Sequence, residues 1–342
     1  MPAPELERFG FRAMGSPCEI ALYGSSREAL EGIVRECAKE IARLEAKFSR
    51  FRDDSLATRI NETAGDPRGL VVDDETAALL DFADTAYRES AGRFDPTSGV
   101  LRRVWNFKSG ARPSREAIEE ILELVGWPKL EWQRPRLVLP VPGMELDFGG
   151  FVKEYAADRV AELARRLGVR SGMIDLGGDL AVVGPHPNGD PWLVGIRNPR
   201  RPNAAMARIA VTHGGLATSG DYERCMIIDG IRYSHLLDPR TGESFRQGPA
   251  CVSVKADHCL VAGVTATIAM LHTEGEDEVF LSRVGLPHLC VTQDGRIRGT
   301  AEVIPTRDAA RVSSRRVPPA FGHLQPARVN PRGASGSRES AA

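Results

Sequence analysis

The stretch Asp147-Phe-Gly-Gly-Phe-Val-Lys-Glu-Tyr-Ala-Ala-Asp158 begins a helical pattern directly after a pair of glycines. Apolar residues continue at helical spacing as far as Leu163, and Gly168 predicts the end of the helix. Backbone N–H groups at such a start suit a phosphate, because they coincide with the positive end of the helix dipole and Lys153 lies near the first turn. An ordinary turn into a helix would also favour glycine, so the pattern alone leaves both interpretations open.

The chain before this stretch is mainly helical in pattern, and the chain after it is mainly extended. The upstream part predicts one strand and three helices, with a capping box at Ser25-x-x-Glu28. Their ranges are Arg12 to Gly24, then from Ser25 to Phe48, Asp74 to Ser90 and Ser114 to Val125. The downstream part predicts one further helix, Cys259 to Leu271, and five short strands. These are Met173 to Leu176, Trp192 to Ile196, Ala207 to Val211, Cys251 to Lys255 and Leu289 to Thr292.

The order of these elements predicts the fold class. Asp229-Gly230 and Asp294-Gly295 are hairpin-turn signals between extended runs. Helices come first and hairpins later, without the regular alternation of strand and helix that a doubly wound sheet requires. The sequence therefore predicts a single large α+β domain of helices and mainly antiparallel strands. Its expected range is 1–311, and residues 312–342, rich in Arg, Pro, Gly and Ser, are expected to be a disordered tail.

The composition points to small-molecule chemistry. The formal net charge is -1, so nothing indicates a surface for nucleic acid, and no nucleic-acid partner is expected. No run approaches the roughly 20 apolar residues of a membrane span. The six cysteines form no C-x-x-C pair, and residues 1–10 show neither a basic start nor an apolar run. The expected location is therefore the cytoplasm.

The usual nucleotide and zinc motifs are missing, but other polar clusters remain. There is no G-x-G-x-x-G after a strand, no P-loop and no H-E-x-x-H. Polar residues cluster instead at Gly92 to Thr97, Asp175 to Asp179, Thr218 to Arg224 and Arg232 to Gly242. In the last cluster His235 and Asp238 are candidate catalytic residues. Each cluster alone is also compatible with an ordinary turn or bulge.

The order of these clusters along the chain carries more information than any one of them. Segments around Ala13 to Ser16, Phe48 to Ser55, Gly92 to Thr97, Asp147 to Asp158 and Asp175 to Asp179, followed by Thr218 to Arg224 and His235 to Gly242, occur in a single order. In this order they resemble the FAD:protein FMN transferases, also known as the ApbE family. The resemblance extends from about Gly10 to about Leu271.

The resemblance implies a flavin-transfer reaction. Members of this family use FAD as a substrate and, with Mg²⁺, move its FMN part onto a Thr or Ser of an acceptor flavoprotein, releasing AMP. Two alternatives remain open: an FAD-binding protein without efficient transfer, and an enzyme that hydrolyses FAD to FMN and AMP.

The resemblance also implies a set of site residues. Contacts to FAD are expected from Met14, Phe51, Arg93, Phe94, Asp95, Asp147, Lys153 and Leu237. A metal ion is expected at the backbone oxygen of Gly150 and at Thr267, together with an Asp on the same late helix as Thr267.

Two positions depart from the family pattern. Gly263 stands where the metal-binding Asp is expected, which removes the charged ligand that a hard cation prefers. Asp257 falls on a different face of the helix, so Asp175, Asp179 or an acid of a bound partner are left as substitutes. Glu154 follows Lys153 where glycine is commoner, and a solvent-facing position is expected for it.

Overall fold

The structure, a computed structural model, describes residues 4–304, with the backbone alone at 202 and 203. The expected tail, 312–342, lies outside the described residues, so the tail and the boundary at 311 stay predictions.

The described residues contain seven α-helices and three short 3-10 helices. The α-helices are α1 (Arg27–Phe48), α2 (Leu56–Glu62), α3 (Asp74–Glu89), α4 (Arg115–Leu122), α5 (Val152–Arg166), α6 (Cys259–Met270) and α7 (Glu276–Val284). The 3-10 helices span Pro96–Arg103, Trp127–Lys129 and Phe148–Gly150.

The strands in the described residues form one large sheet and three small ones. In chain order they are β1 (Glu5–Ala13), β2 (Ser16–Gly24), β3 (Leu70–Val71), β4 (Glu131–Gln133), β5 (Arg136–Val138), β6 (Gly172–Leu176), β7 (Asp179–Gly184), β8 (Trp192–Asn198), β9 (Arg201–Val211), β10 (Gly215–Gly220), β11 (Cys225–Ile228), β12 (Ile231–Ser234), β13 (Cys251–Ala256), β14 (His288–Val291), β15 (Ile297–Gly299) and β16 (Val303–Ile304). The eight-stranded sheet has the order β1-β2-β6-β7-β10-β13-β14-β15, and every neighbouring pair in it is antiparallel. The predicted α+β class is confirmed.

The large sheet is covered on both faces, as β7 shows. Ala181 and Val183 belong to the larger core, which also contains residues of α1, α5 and α6. Leu180 and Val182 belong to a second core formed with β8 and β9. Because alternate residues of a strand point to opposite faces, a strand that is apolar throughout must lie between two layers. The fold is therefore a sheet with helices on one face and the β8–β9–β16 sheet on the other.

The predicted strand from Arg12 to Gly24 is wrong at its start. It crosses the turn between β1 and β2, which pair along their whole length. Met14 and Gly15 form this turn, and both have positive φ, 49° and 72°. A non-glycine residue is uncommon in that conformation, so Met14 does not signal a turn, and Gly15 alone did not reveal the hairpin. The hairpins at Asp229-Gly230 and Asp294-Gly295 are confirmed.

Asp158, in the middle of α5, caps the N-terminus of α6. Its two carboxylate oxygens accept hydrogen bonds from the backbone N–H groups of Cys259 and Leu260 at 2.8 and 2.9 Å. His258, the residue at the α6 N-terminus, provides no side-chain cap of its own. Asp158 therefore satisfies N–H groups that the first turn of α6 leaves without partners, and it sets where the two helices meet.

Replacing Asp158 by Ala should lower the free energy of unfolding by about 1–2 kcal/mol, because α6 loses its cap. Urea denaturation followed by circular dichroism measures this. Asp257→Ala is the matched control, since this exposed residue lies just before α6 and caps nothing. Equal losses in the two variants would contradict the capping role.

Candidate functional site

The start of α5 presents open backbone beside a capped turn. Asp147 Oδ1 accepts a hydrogen bond from Gly149 N at 2.8 Å, and Asp147 N donates to Pro96 O at 2.9 Å. A Cβ atom added at Gly150 would meet nothing within 4 Å. No side chain caps the N-terminus of α5. The glycine pair thus leaves its backbone accessible to a ligand.

A group of arginines surrounds this turn, and sequence reasoning did not single them out. Arg50 contacts Asp147 through Nη1, while its Nε is buried and has no hydrogen-bond partner within residues 4–304. Burial and the positive charges of Arg102 and Arg224 lower the pKa of Arg50, but the Asp147 carboxylate in contact keeps the guanidinium charged. A buried donor without an acceptor, among several cations, favours an anionic ligand.

Phe51 follows Arg50 at the surface. Its side chain is 82% exposed, and the Arg50 guanidinium lies 4.8 Å from the centre of its ring. An exposed aromatic ring beside the arginine offers a flat surface on which a ring system can stack. The position is compatible with the expected flavin contact.

Lys153, in the first turn of α5, forms an ion pair with Asp179. Lys153 Nζ lies 2.5 Å from Asp179 Oδ2, and the Asp179 side chain is almost fully buried. Burial alone would lower the pKa of Lys153, but the carboxylates of Asp179 and Glu154 outweigh it and raise that pKa. The lysine is therefore charged, and it lies beside two acids.

Glu154 is buried, so the expectation that it faces solvent is wrong. Only 9% of the residue is exposed, and its Oε2 atom has no hydrogen-bond partner within the described part of the chain. Burial raises the pKa of Glu154, and the negative charge of Asp179 raises it further. The helical pattern gives the spacing of α5 residues, but it does not show that α6 covers this particular face.

Gly263 of α6 packs against the side chain of Glu154. A Cβ atom added at Gly263 would lie 2.6 Å from Glu154 Cγ and 3.0 Å from its Oε1. Real Cβ atoms do not approach other heavy atoms so closely, so a side chain at residue 263 would force the Glu154 side chain out of its present position. The two departures from the family pattern therefore occupy the same space.

Thr267 lies one helical turn beyond Gly263. Its Oγ1 is 2.9 Å from Ser219 Oγ on β10, and the neighbouring Thr218 N donates to Asp179 Oδ1 at 3.4 Å. Contacts from Asp158 to Cys259 and from Glu154 to Gly263 show that α5 and α6 run antiparallel. Gly150 lies four residues before Glu154, and Thr267 lies four residues after Gly263. The same antiparallel register would therefore place Gly150 opposite Thr267.

His235 follows β12 and lies near Arg224. Its ring Nδ1 is buried without a hydrogen-bond partner in the described residues. Its backbone N–H donates to the backbone oxygen of Arg224 at 2.9 Å. Burial lowers the pKa of His235, and the positive charge of Arg224 lowers it further. The imidazole is therefore neutral near pH 7 and retains a lone pair that can accept a proton.

Asp238 belongs to a different set of contacts. Both of its oxygens accept hydrogen bonds from Arg240, at 2.9 and 2.7 Å, and none of the hydrogen bonds in residues 4–304 joins it to His235. Burial alone would raise the pKa of Asp238, but the hydrogen bonds from Arg240 outweigh it and lower that pKa. Leu237 is half-buried in the cluster that contains Trp105. A catalytic role for Asp238 stays a prediction.

The segment from Arg93 to Asp95 packs beneath the glycine pair. Phe94 is buried, with its ring 5.7 Å from that of Phe151. Asp95 is buried as well, and its oxygens accept from the Thr97 N–H and hydroxyl and from Trp127 N. Arg93 Nε donates to Leu271 O at 3.1 Å. Asp95 is thus engaged within the fold, and it holds the 3-10 helix whose first carbonyl anchors Asp147.

The hairpin turn at Met14 lies close to the turn between β6 and β7. Gly177 and Gly178 form that second turn, with φ of 70° and 96°, and Gly178 N donates to Asp175 Oδ1 at 2.7 Å. A Cβ atom added at Gly177 would lie 2.7 Å from Ser16 Cβ and 3.6 Å from Lys153 Nζ. The first hairpin, the glycine turn and Lys153 therefore meet.

A cleft of about 1120 Å³ opens at this meeting point, lined by Asp175, Gly177, Thr218 and Tyr222 among others, and Lys153 is the one expected site residue in its lining. Small-molecule pockets are commonly of roughly 300–1000 Å³, so a dinucleotide would fit. A smaller cavity of about 360 Å³ beside Ser234 and Leu236 contains none of the expected site residues.

The described residues contain neither a cluster of metal-ligating side chains nor a membrane-spanning helix. Within residues 4–304 no group of three or more His, Cys, Asp or Glu side chains has the arrangement of a metal site. Among the helices that the structure describes, none is both long and apolar enough to span a membrane.

The fold and the site together define an α+β protein with a cationic, glycine-lined site that suits an anionic ligand. The family model described as "ApbE family" matches residues 14–287. This chain therefore belongs to the ApbE family, and that prediction is confirmed.

Relatives and solved structures agree with this assignment. A Treponema pallidum protein named FAD:protein FMN transferase is 30% identical and covers 85% of this chain and 86% of its own. A protein of the same name from Chlamydia pneumoniae is 30% identical over 73% of this chain and 78% of its own. The crystal structure of the Thermotoga maritima ApbE protein has a TM-score of 0.79 at 29% identity, covering 86% of this chain and 97% of its own. The flavinyl transferase ApbE of Pseudomonas stutzeri, in its apo form, has a TM-score of 0.75 at 28% identity, covering 88% and 96%.

Proposed function

We propose that this protein is an FAD:protein FMN transferase that moves FMN from FAD to a Thr or Ser hydroxyl of an acceptor flavoprotein and releases AMP. The observation that carries the proposal is the anion site at the start of α5. There the backbone of the glycine pair is open, and a Cβ atom added at Gly149 would lie 3.8 Å from Arg50 Nη1. The Nε of Arg50 is buried without a hydrogen-bond partner in residues 4–304, and Lys153 follows Gly150 by three residues. Such a site suits the pyrophosphate of FAD, and the chain belongs to a family whose curated relatives bear this enzyme name.

The proposed reaction is a displacement at phosphorus. The acceptor hydroxyl oxygen forms a bond to the phosphorus of the FMN half, and the bond from that phosphorus to the bridging oxygen breaks. AMP leaves with the electron pair of the broken bond. In reactions of this kind, positioning and electrostatic stabilisation supply most of the catalysis. Arg50, Lys153 and the N–H groups at the start of α5 would hold the pyrophosphate and stabilise the charge that develops on it.

His235 is proposed as the group that accepts the hydroxyl proton. Its lowered pKa keeps the ring neutral at pH 7, as a general base requires. Asp238 is held by Arg240, so we propose that it shapes the loop after His235.

The remaining expected FAD contacts divide into two groups. Met14, Phe51, Arg93 and Leu237 are at least partly accessible or lie on turns, and we propose that they line the FAD site. Phe94 and Asp95 are buried, and we propose that they act through the position of Asp147 and Phe151.

The oxygen donors near the start of α5 fit a hard divalent cation such as Mg²⁺. Within residues 4–304 the buried Oε2 of Glu154 has no hydrogen-bond partner, and the antiparallel register of α5 and α6 would bring the Thr267 hydroxyl and the Gly150 carbonyl one turn away from it. When bound, such a cation would offset negative charge on the phosphates. Assistance by Mg²⁺ is thus part of the proposal, and the cytoplasmic location stays a prediction.

Incubation with FAD, MgCl₂ and a panel of purified, unmodified flavin-acceptor proteins tests the function. We expect AMP release and an acceptor band that is fluorescent on a denaturing gel. AMP and FMN appearing without an acceptor would instead indicate an FAD hydrolase. Tight FAD binding without AMP release on any acceptor would indicate a binding protein, and either result would overturn the proposal.

Replacing Arg50 by Ala should weaken FAD binding by roughly 10- to 100-fold, because a hydrogen bond to a charged group contributes about 1.5–3 kcal/mol. Quenching of flavin fluorescence on titration measures the dissociation constant. The matched control is Arg52→Ala, since Arg52 pairs with Asp54 at the surface two residues away. Equal dissociation constants for the Arg50 variant and the unchanged protein would contradict the assignment.

A further inference from the structure

We propose that Glu154 is the carboxylate ligand of the divalent cation, reaching the site from α5 through the space that Gly263 leaves open on α6. The inference rests on the proposed function only for the reaction that the cation serves. The ligand itself is argued from contacts within this chain.

The first step concerns space. The position of a Cβ atom on residue 263 lies 2.6 Å from Glu154 Cγ, 3.1 Å from its Cδ and 3.0 Å from its Oε1. A side chain growing from residue 263 would therefore enter the volume that the Glu154 carboxylate already fills. With Glu154 in this position there is no room for an acid at residue 263, so the carboxylate in this volume comes from α5.

The second step concerns charge. Glu154 and Asp179 are two buried acids, and Lys153 is the cation in contact with Asp179. The carboxylate of Asp179 also accepts from Thr218 N, whereas Glu154 Oε2 has no hydrogen-bond partner in residues 4–304. Two buried acids beside a single lysine leave an excess of negative charge when both are ionised, which is costly away from water. A cation bound at Oε2 would offset this cost.

The third step concerns the other donors. Thr267 follows Gly263 by one helical turn, with its hydroxyl 2.9 Å from Ser219 Oγ. The antiparallel register of α5 and α6 leads from Glu154 by one turn back to Gly150, whose surroundings are open. Carboxylate, hydroxyl and carbonyl oxygens are the donors that Mg²⁺ and Mn²⁺ prefer. The class of ligand is thus a hard divalent cation.

Calorimetric titration of the full chain with MgCl₂ and with MnCl₂, with and without FAD, tests the proposal. Glu154→Gln keeps the shape of the side chain and should weaken cation binding on the order of 100-fold or more, because even indirect partners of a metal typically cost roughly 10- to 100-fold. Glu162→Gln is the matched control, since Glu162 lies on α5 and pairs with Arg165 at the surface. It should bind the cation like the unchanged protein.

A second variant keeps the test independent of folding effects. The double substitution Glu154→Gly and Gly263→Asp transfers the carboxylate to α6 and should restore cation binding to within a few-fold of the unchanged protein. Gly263→Asp alone should lower the melting temperature, because its side chain meets Glu154. Wild-type cation affinity in Glu154→Gln, or no cation binding by the unchanged protein with or without FAD, would overturn the proposal.

Failure of this inference and failure of the proposed function give different results. Cation binding that depends on Glu154, without FMN transfer to any acceptor, would support the ligand and refute the transferase. FMN transfer by Glu154→Gln with an unchanged Mg²⁺ requirement would support the transferase and refute the ligand.

Discussion

Replacing Lys153 by Met should lower the free energy of unfolding by about 3 kcal/mol and abolish measurable FMN transfer. Removing one partner of a buried ion pair typically costs about 3–5 kcal/mol, and the lower end applies because the Lys153 side chain is partly exposed. Asp179 would remain buried without its cation, 2.5 Å from where Nζ had been. Urea denaturation in the presence of EDTA measures stability without a contribution from bound metal.

A double-mutant cycle isolates the pair. Asp179→Asn alone should also destabilise the protein, while Lys153→Met combined with Asp179→Asn should lose less than the sum of the two single changes. Lys39→Met is the exposed control, since Lys39 pairs with Glu36 on the surface of α1. If Lys153→Met and Lys39→Met unfolded at the same urea concentration, the ion pair would not contribute to stability.

Replacing His235 by Asn should lower kcat by roughly 10²- to 10⁴-fold, the usual contribution of a general base. The pH profile gives the sharper measurement. The folded pKa of His235 is lowered below 6.5, so the ring is neutral and active above 6.5. Activity of the unchanged enzyme should fall as the pH drops through the lowered pKa, and the Asn variant should lack this acidic limb.

Changing Arg224 tests whether the pKa of His235 sets the acidic limb of the pH profile. Its positive charge is one cause of the lowered pKa, so Arg224→Gln should move the acidic limb to higher pH. His213→Asn is the matched control, because His213 is exposed and lies beside Asp257 away from the site. An acidic limb that persists in His235→Asn at the same pH would rule out His235 as the base.

The histidine also affects stability at low pH. A histidine whose folded pKa lies below its unfolded pKa favours the neutral form in the folded protein. Its contribution is therefore present above the unfolded value and is lost as the pH falls through the folded one. His235→Asn should show a smaller loss of stability over this range than the unchanged protein.

Local signals in the sequence account for most of the helices. The predicted helix from Asp74 to Ser90 is observed as Asp74–Glu89, with Asp73 accepting from Thr76 N as its cap. Gly168 was predicted to end the helix that begins after the glycine pair, and α5 ends at Arg166. Caps, helical spacing and terminal glycines act over a few residues, so a single sequence contains them.

Arg50 shows why the site could be predicted only in part. Arg50 and Arg52 lie in the same short segment, yet Arg52 bonds to Asp54 two residues away and Arg50 contacts Asp147, 97 residues away. Which arginine faces the glycine pair depends on how α1 and α5 pack, and local pattern carries no information about that contact.

The sequence by itself determined that this is an α+β protein of the ApbE family, with a glycine pair at the start of a helix and a glycine in place of an acid at residue 263. Tertiary structure alone decided that Glu154 is buried and that it fills the space over Gly263. Helical spacing fixes the angle of a side chain about its own helix axis, but only the packing of α5 against α6 decides which face is buried. Two positions that look independent along the chain therefore share one volume between neighbouring helices, and the carboxylate in that volume comes from α5.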